Sequence, residues 1–380
     1  MNVCLTRHGL LVDSASFEKE YEEIQKRFAF TEKTGFAARY KPETKKAYKK
    51  MRVRTKTRGT DGTEAEETET MTLFPVNAVR YFAQKYRIRL LDGTRLFRPP
   101  DVIDFGAPKI TLYRHQELIL EHALKLLPRR ANRLYLQLGT GMGKTFLGSA
   151  VAGRLGVRTL VVTPTCEIRD FWVDEFRKMF PGANATTFTN SAWAKIERGA
   201  TGMPDMMAGV INSVRDKHID VFENFGLVIL DEAHEYYTPV NSNVLWCPSK
   251  YLIGLSATPE ERPDELDRFV FPFIGRPVLG ETVPGVLDEI ADITFQGAVR
   301  RVLYSGDCPD VFSEEDSGGG PSFQYMSTIN NLIEDPYRTH IVCLEVLRLL
   351  KQGHSVFVFA ELREFLPRLQ RILAELLQQQ

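Results

Sequence analysis

The stretch Gln137–Thr145, reading Gln-Leu-Gly-Thr-Gly-Met-Gly-Lys-Thr, constrains the fold more than any other part of the chain. It follows an apolar run, Leu134-Tyr135-Leu136, and leads into a helix-like run from Phe146 to Leu155. Strand, glycine loop and helix in that order is the setting of a phosphate-binding loop. Gly141 and Gly143 permit a tight turn and bring backbone N–H groups against phosphate oxygens. The helix that starts there turns its positive dipole end toward the same anion. Lys144 is placed to reach the β- and γ-phosphates, and the Thr145 hydroxyl to ligate Mg²⁺. The expected cradle is therefore Gly139, Thr140, Gly141, Met142, Gly143, Lys144 and Thr145. One departure stands out: Leu138 occupies the first glycine position of the strict G-x-x-x-x-G-K-[ST] pattern.

A second apolar run, Phe225 to Leu230, ends in Asp231-Glu232-Ala233-His234. A carboxylate at the carboxyl end of a buried parallel strand lies where a phosphate loop also opens. Asp231 can hold the Mg²⁺ site, through water, and Glu232 can orient and deprotonate an attacking water. Tyr251 to Leu255 is a further strand candidate, closed by Ser256-Ala257-Thr258-Pro259, whose two hydroxyls can hydrogen-bond the acidic motif. Upstream, Ile110 to Leu127 reads as a helix with its lead-in. Gln116 at its start carries an amide that can donate and accept at once, which suits an adenine edge as well as a plain helix start. Arg158 to Thr163 reads as a buried strand, Asp170 to Phe180 as a helix with Phe171, Trp172, Phe176 and Met179 on its apolar side, and Gly209 to Asn212 as a strand. Pro181 to Met207 gives no clear order.

Residues 1–106 read differently. A basic run includes Lys45, Lys46, Lys49 and Lys50 and continues as Met51 to Arg58, whose period of two suits a strand with one cationic face. The acidic, threonine-rich stretch after it, from Gly59 to Glu69, reads as an exposed loop or a short disordered segment. Contact with a phosphate backbone and a solvated, self-neutralised surface both fit this run. Leu90 to Phe97 looks like a hairpin piece around Asp92-Gly93, and Pro99-Pro100 opens a border that closes near Pro108. At the other end, Glu260 to Gly285 is punctuated by proline and reads as a linker with short helices. Ile293 to Gln296, Val299 to Tyr304 and Ser355 to Phe359 look like strands, Ser313 to Pro321 like a flexible loop, and Asp335–Leu350 and Leu362–Leu377 like helices.

At 380 residues the chain has room for two or three domains, and 43% hydrophobic residues supply a sizeable core. The formal net charge is zero, but the charge is unevenly spread, so a nucleic-acid partner is not excluded. Five scattered cysteines without a Cys-x-x-Cys pair argue against a zinc site or a disulfide framework and fit a reducing compartment. With no secretory h-region and no membrane-length apolar run, a soluble intracellular protein with no membrane partner is expected.

The ordered motifs resemble those of superfamily 2 helicases of the DEAD/DEAH type, most closely the XPB/UvsW-like group that includes DNA-dependent ATPases of large DNA viruses and phages. The resemblance runs from about residue 110 to 375. It implies an α/β fold: a RecA-like P-loop NTPase domain with a parallel sheet at 107–285 and the start of a second RecA-like domain at 286–380; residues 1–106, outside the resemblance, are expected to form a small α+β accessory domain that docks duplex through its basic run. It implies ATP and Mg²⁺ as cofactors, with Lys144, Thr145, Asp231 and Glu232 as ATPase residues and Gln116 as the adenine contact; helicase versions of the loop are looser at Leu138. Thr163-Pro164-Thr165 matches a motif that touches the nucleic-acid backbone, and Asn212-Ser213 a further strand-contact motif. Ser256 and Thr258 match the motif coupling hydrolysis to strand movement, and His234 a link to the second domain. The expected partner is nucleic acid, DNA ahead of RNA, within transcription, replication or repair, and the expected location is cytoplasm or nucleus, a viral factory or a virion. No Gln-x-x-Gly-Arg-x-x-Arg pattern occurs before Gln380. The arginine finger is thus expected beyond the chain's end or from a partner, or the chain is a weak ATPase. An ATP-gated binding module with little hydrolysis is the competing expectation; a P-loop kinase or transporter ATPase lacks its Leu-Ser-Gly-Gly-Gln signature here.

Overall fold

The computed structural model describes residues 3–6, 9–31, 44–58, 64–90, 101–217, 219–238, 240–258, 266–291, 299–306, 310–312 and 324–378. The chain divides into two compact units, Met1–Thr294 and Phe295–Gln380; the expected border at residue 106 falls inside the first.

The first unit opens with β1 (Val3–Thr6), β2 (Gly9–Asp13), α1 (Ser14–Lys19), α2 (Tyr21–Phe28), β3 (Ala29–Thr31), β4 (Thr44–Lys46), β5 (Lys49–Arg58), β6 (Glu64–Phe74), α3 (Val79–Phe82) and β7 (Ile88–Leu90). Five of these strands form a sheet in the order β5-β6-β2-β1-β7, and β3 pairs with β4 separately. The acidic stretch read as a loop is strand from Glu64 onward. Its threonines are β-formers, and β6 runs antiparallel to β5 in a register that sets Arg52 opposite Thr70, Lys56 opposite Glu66 and Arg58 opposite Glu64. The hairpin expected at Leu90 to Phe97 lies outside the described residues after Leu90.

The chain continues through α4 (Arg114–Leu126), β8 (Arg133–Gln137), α5 (Lys144–Leu155), β9 (Thr159–Thr163), α6 (Cys166–Met179), β10 (Ala185–Phe188), α7 (Asn190–Glu197), β11 (Met206–Val210), α8 (Ile211–Val214), β12 (Leu227–Asp231), β13 (Tyr251–Ser256), α9 (Phe271–Ile274), β14 (Pro277–Leu279) and α10 (Val286–Ile290). Its seven strands form a sheet in the order β10-β11-β9-β12-β13-β8-β14, with every neighbouring pair parallel. Strands buried on both faces read as near-continuous apolar runs, and β9, β11 and β12 are buried from end to end, with polar residues only at the ends of β9 and β12.

Two expectations are corrected here. The strand placed at Gly209 to Asn212 ends at Val210, and Ile211–Val214 turns helical. The proline-punctuated linker contributes an edge strand, β14, which pairs with β8. Pro277 is tolerated because β14 has a neighbour on only one side. The unordered stretch before Met207 proves to be β10 and α7.

Alternation along each strand feeds two cores. Leu134 and Leu136 pack with Ile229, Leu255, Trp172 and Phe176 on the side of α4, α5 and α6. Tyr135, Leu160 and Leu230 join one continuous cluster that also contains Leu10, Phe74 and Phe82 of the N-terminal region. Phe171, expected on the apolar side of α6, is exposed. It is adjacent to Trp172, so on a helix it faces a different way.

The second unit contains α11 (Tyr325–Glu334), α12 (Pro336–Lys351) and α13 (Phe365–Gln378), packed through Cys343, Phe365 and Leu369. Asp335 caps α12 by accepting from Tyr337 N and Arg338 N. The strands expected at Val299 to Tyr304 and Ser355 to Phe359 are not formed, and Phe357 and Phe359 are 84% and 92% exposed. A strand needs a neighbour for its backbone groups, and among the described residues of this unit there is no other strand to pair with. The expected strand at Ile293 to Gln296 and loop at Ser313 to Pro321 lie outside the described residues.

Candidate functional site

The parallel sheet lines up the predicted motifs. Reading across β11, β9, β12, β13 and β8, the carboxyl ends carry Asn212-Ser213, Thr163-Pro164-Thr165, Asp231-Glu232, Ser256 and the glycine loop. In open α/β sheets this edge is where ligands bind.

The loop has the shape its glycines predict. Gly141 and Gly143 take positive φ of 85° and 76°, which favours glycine. Met142 N donates to Gly139 O at 3.2 Å, while Thr140 is exposed. The helix begins at Lys144, and Thr145 lies in its first turn. Leu138 explains its own departure from the glycine pattern: it is buried and its N–H donates to Ser256 O at 2.9 Å, extending the β8–β13 ladder.

Gln116, expected as the adenine contact, lies under the loop. It is buried, its Nε2 donates to Met142 O at 3.1 Å, and its Oε1 accepts from Tyr113 N at 3.0 Å. A Cβ on Gly143 would lie 2.2 Å from Gln116 Nε2. In this structure the glutamine ties α4 to the loop, and Gly143 is what leaves room for it.

Beside the loop, Lys144 Nζ lies 3.3 Å from Glu232 Oε1. Glu232 holds φ 47° and ψ 55°, a left-handed conformation that costs a residue with a Cβ about 1–3 kcal/mol. That strain turns it back over the strand end, where its other oxygen is 3.6 Å from His234 Nδ1. His234 Nδ1 is 2.8 Å from Ser256 Oγ, which accepts from Thr258 N at 3.1 Å. With that lone pair used, the serine proton is available to Nδ1. The opposite nitrogen, Nε2, faces Glu235 at 3.4 Å. Ala233 fits against the sheet because Gly254 has no side chain: a Cβ there would be 2.9 Å from Ala233 Cβ. Tyr236 Oη donates to Val162 O at 2.9 Å and pins the segment to β9.

Asp231 is 5% exposed. Burial pushes its carboxyl above the ordinary range, offset in part by the Trp172 indole. Trp172 Nε1 donates to Asp231 Oδ2 at 2.7 Å, and Glu232 N to Oδ1 at 3.0 Å. Sequence reading placed Trp172 only in the core. Its role as a donor has no local signal, since it rests on a contact between α6 and β12. Gly148 admits it, because a Cβ there would lie 2.6 Å from the indole.

Other predicted positions are less open. Thr163 is buried and its hydroxyl donates to Thr165 O at 3.1 Å, while Thr165 is exposed and caps α6. Pro164 and Ser213 are half-buried, and Asn212 is exposed. The basic run meets the segment that follows the acidic motif. The Lys45 amine sits 4.7 Å from the Tyr237 ring centre and that of Lys49 4.8 Å from Trp246. Lys46 and Lys50 lie over Tyr48 and Phe17. The protein around Lys49 lowers its pKa by desolvation.

Residues 109–261 match the family model described as type III restriction enzyme, res subunit. The chain is 31% identical over 281 residues to QP509L of African swine fever virus, whose name describes an ATP-dependent RNA helicase. The match covers 70% of this chain and 52% of that protein. Residues 109–261 form a superfamily 2 helicase domain. D10 of Escherichia phage T5, named as a helicase, is 27% identical over 243 residues, covering 62% of this chain and 47% of D10. Rad25 of Haloarcula marismortui, named as a DNA 3'-5' helicase, is 26% identical over 144 residues, 36% of this chain and 22% of Rad25. Among solved structures, the UvsW helicase from bacteriophage T4 aligns with TM-score 0.46 and 15% identity over 73% of this chain and 100% of that chain. The chain spans about half the length of the viral relatives it matches. Within the helicase domain, the clustered Lys144, Asp231, Glu232, His234 and Ser256 are the candidate working residues. No helix among the described residues is long and apolar enough to cross a membrane.

Proposed function

We propose that this chain hydrolyses ATP and uses it to move along or separate nucleic acid, with DNA the expected track. The observation that carries the reading is the Lys144–Glu232 ion pair at 3.3 Å, beside buried Asp231 and the His234–Ser256 contact. The positive-φ glycines and helix N-terminus fit a nucleotide's phosphates, and Thr145 with Asp231 fits a hard cation that takes oxygen ligands. Mg²⁺ bound there would neutralise developing phosphate charge.

The chain's own residues do the rest. Lys144 neutralises Glu232 until phosphate competes for the ammonium. Freed from it, the carboxylate accepts a proton from water. The 2.8 Å contact of His234 with Ser256 links that event to β13 and the Ser256–Thr258 segment. The relatives' names divide between RNA and DNA; the resemblance to DNA-dependent ATPases favours DNA. Residues 1–106 act as an accessory region on the helicase domain, and 286–380 as the start of its second half.

The test is ATP hydrolysis by the chain alone and with single-stranded DNA, duplex DNA or RNA, with Lys144→Ala as the control. Stimulation by one nucleic acid supports the motor and names its track. Binding of ATP with no stimulated turnover would replace it by a nucleotide-gated binding module.

A further inference from the structure

An open cleft of 650 Å³ lies in the first unit, between the N-terminal region and α9. Lys26 and Arg27 of α2, Arg268 and Arg276 around α9, and Phe30 and Phe271 are among the residues that line it. No acidic residue lines it among the described residues. Nothing in the sequence joins these segments, which lie more than two hundred residues apart.

We propose that this cleft holds a segment of single-stranded nucleic acid, its phosphates on the four cations and its bases on the two phenylalanines. A cationic groove combined with aromatic faces is the chemistry of sequence-tolerant strand binding. Phe30 and Phe271 are half-buried, each presenting some ring surface. The walls are fixed: Asn77 Nδ2 donates to Phe273 O at 3.1 Å and Arg130 Nη1 to Arg276 O at 3.0 Å.

Two carboxylates near α2 leave Lys26 and Arg27 able to meet phosphate. Glu23 faces Lys26 and Arg27 at 3.7 and 3.5 Å, exposed one-turn pairs that phosphate can displace. Glu20 is engaged with Lys85, Tyr81 and Tyr86. Arg27 rests 4.9 Å from the Tyr81 ring centre, which orients it without using its charge. A single strand is favoured over a duplex because ring faces reach only unpaired bases.

This inference rests on the reading of the chain as a nucleic-acid motor. The probe is a fluorescein-labelled oligothymidylate of about 12 nucleotides, with anisotropy measured from roughly 50 to 200 mM salt. The double variant Lys26→Glu/Arg276→Glu is expected to bind at least about tenfold more weakly. Its salt slope should be shallower by about 1.4, two phosphate contacts at about 0.7 each. Its melting temperature and binding of a fluorescent ATP analogue should match wild type. Wild-type affinity and slope in the variant overturn the cleft. On the unaltered protein, a 5-iodouracil strand should photo-crosslink to Phe30 or Phe271; crosslinks confined to the loops after β9 and β11 overturn it too. If the strand stimulates hydrolysis and the variant changes nothing, the cleft fails alone. If wild type neither binds the strand nor responds to it, the cleft and the motor reading fail together.

Discussion

The two larger sheets of the first unit solve different problems. The parallel sheet places its chemistry at neighbouring strand ends, so each working residue belongs to a short run readable in place: Gly-Lys-Thr after β8, Asp-Glu at the end of β12, Ser-Ala-Thr at the end of β13. The N-terminal sheet has charge in plenty, but its cationic run is partly turned inward onto rings. The open cationic cleft is built from α2 and the segment around α9. Chemistry carried by contiguous strand ends is legible in a sequence; charge gathered across long separations is not.

The sharpest way to break this contrast is Glu232→Gln. The amide keeps the size of the side chain but cannot accept the proton from water. Loss of a general base lowers turnover by about two to four powers of ten, whereas ATP binding should persist. Single-turnover hydrolysis set against nucleotide affinity checks it. Hydrolysis within threefold of wild type would remove Glu232 from the chemistry.

Trp172→Phe tests a contact that the local motif does not reveal. It leaves Asp231 Oδ2, now served by the indole N–H at 2.7 Å, buried without its donor. Leaving a buried acceptor unsatisfied costs about 1–3 kcal/mol, to be read from urea denaturation. Nucleotide affinity measured with Mg²⁺ should weaken more than affinity measured with EDTA, because the carboxylate is no longer held in place. Equal weakening would make Trp172 a packing residue only.

That contact marks where the sequence stops being informative. The order of motifs, the parallel strands and the loop geometry follow from apolar runs and glycines that act over a few residues. Gln116 looks like a surface amide until α4 is seen packed under the loop, with Gly143 leaving space for it. β6 looks like a loop because charge masks its threonine alternation, and pairing with β5 decides it. Ser355 to Phe359 has strand composition, but among the described residues of its unit no strand pairs with it, and it forms none. For Gln116 the deciding atoms, Met142 O and the bare Cα of Gly143, lie on a segment distant in the chain.

The sheets also carry carboxyls shifted in opposite directions. Lys85 above all, then Tyr86 and Tyr81, holds the Glu20 carboxyl down from 4.5 to about 2. A depressed folded pKa stabilises above the unfolded value and is lost as pH falls through the folded one. The contribution of Glu20 is therefore full above about pH 5 and fades between pH 4.5 and 2. Asp231 is shifted up by burial, so its ionisation works against the apo fold as pH rises. Glu20→Gln should lower the melting temperature at pH 7 by a few degrees, with the gap closing as pH falls below 4. A gap independent of pH would show that the hydrogen bonds of Glu20, not its charge, matter.

The smallest effect tests whether the basic run is structural. Lys49 lies over Trp246 and 3.5 Å from Asn243 Oδ1, both in the segment between the acidic motif and β13. A cation over a ring contributes about 0.5–1 kcal/mol at an exposed site and about 2 when desolvated; Trp246 is buried and Lys49 desolvated, so Lys49→Ala should cost about 1–2 kcal/mol in urea denaturation. Its salt dependence of strand binding should stay that of wild type, because Lys49 is not among the residues that line the cleft. The comparison then turns on the ratio of two numbers. A stability loss with an unchanged slope makes Lys49 a clamp on the segment that follows Glu232. A shallower slope with unchanged stability would make it a phosphate contact, and the N-terminal charge run would have been readable from the sequence after all.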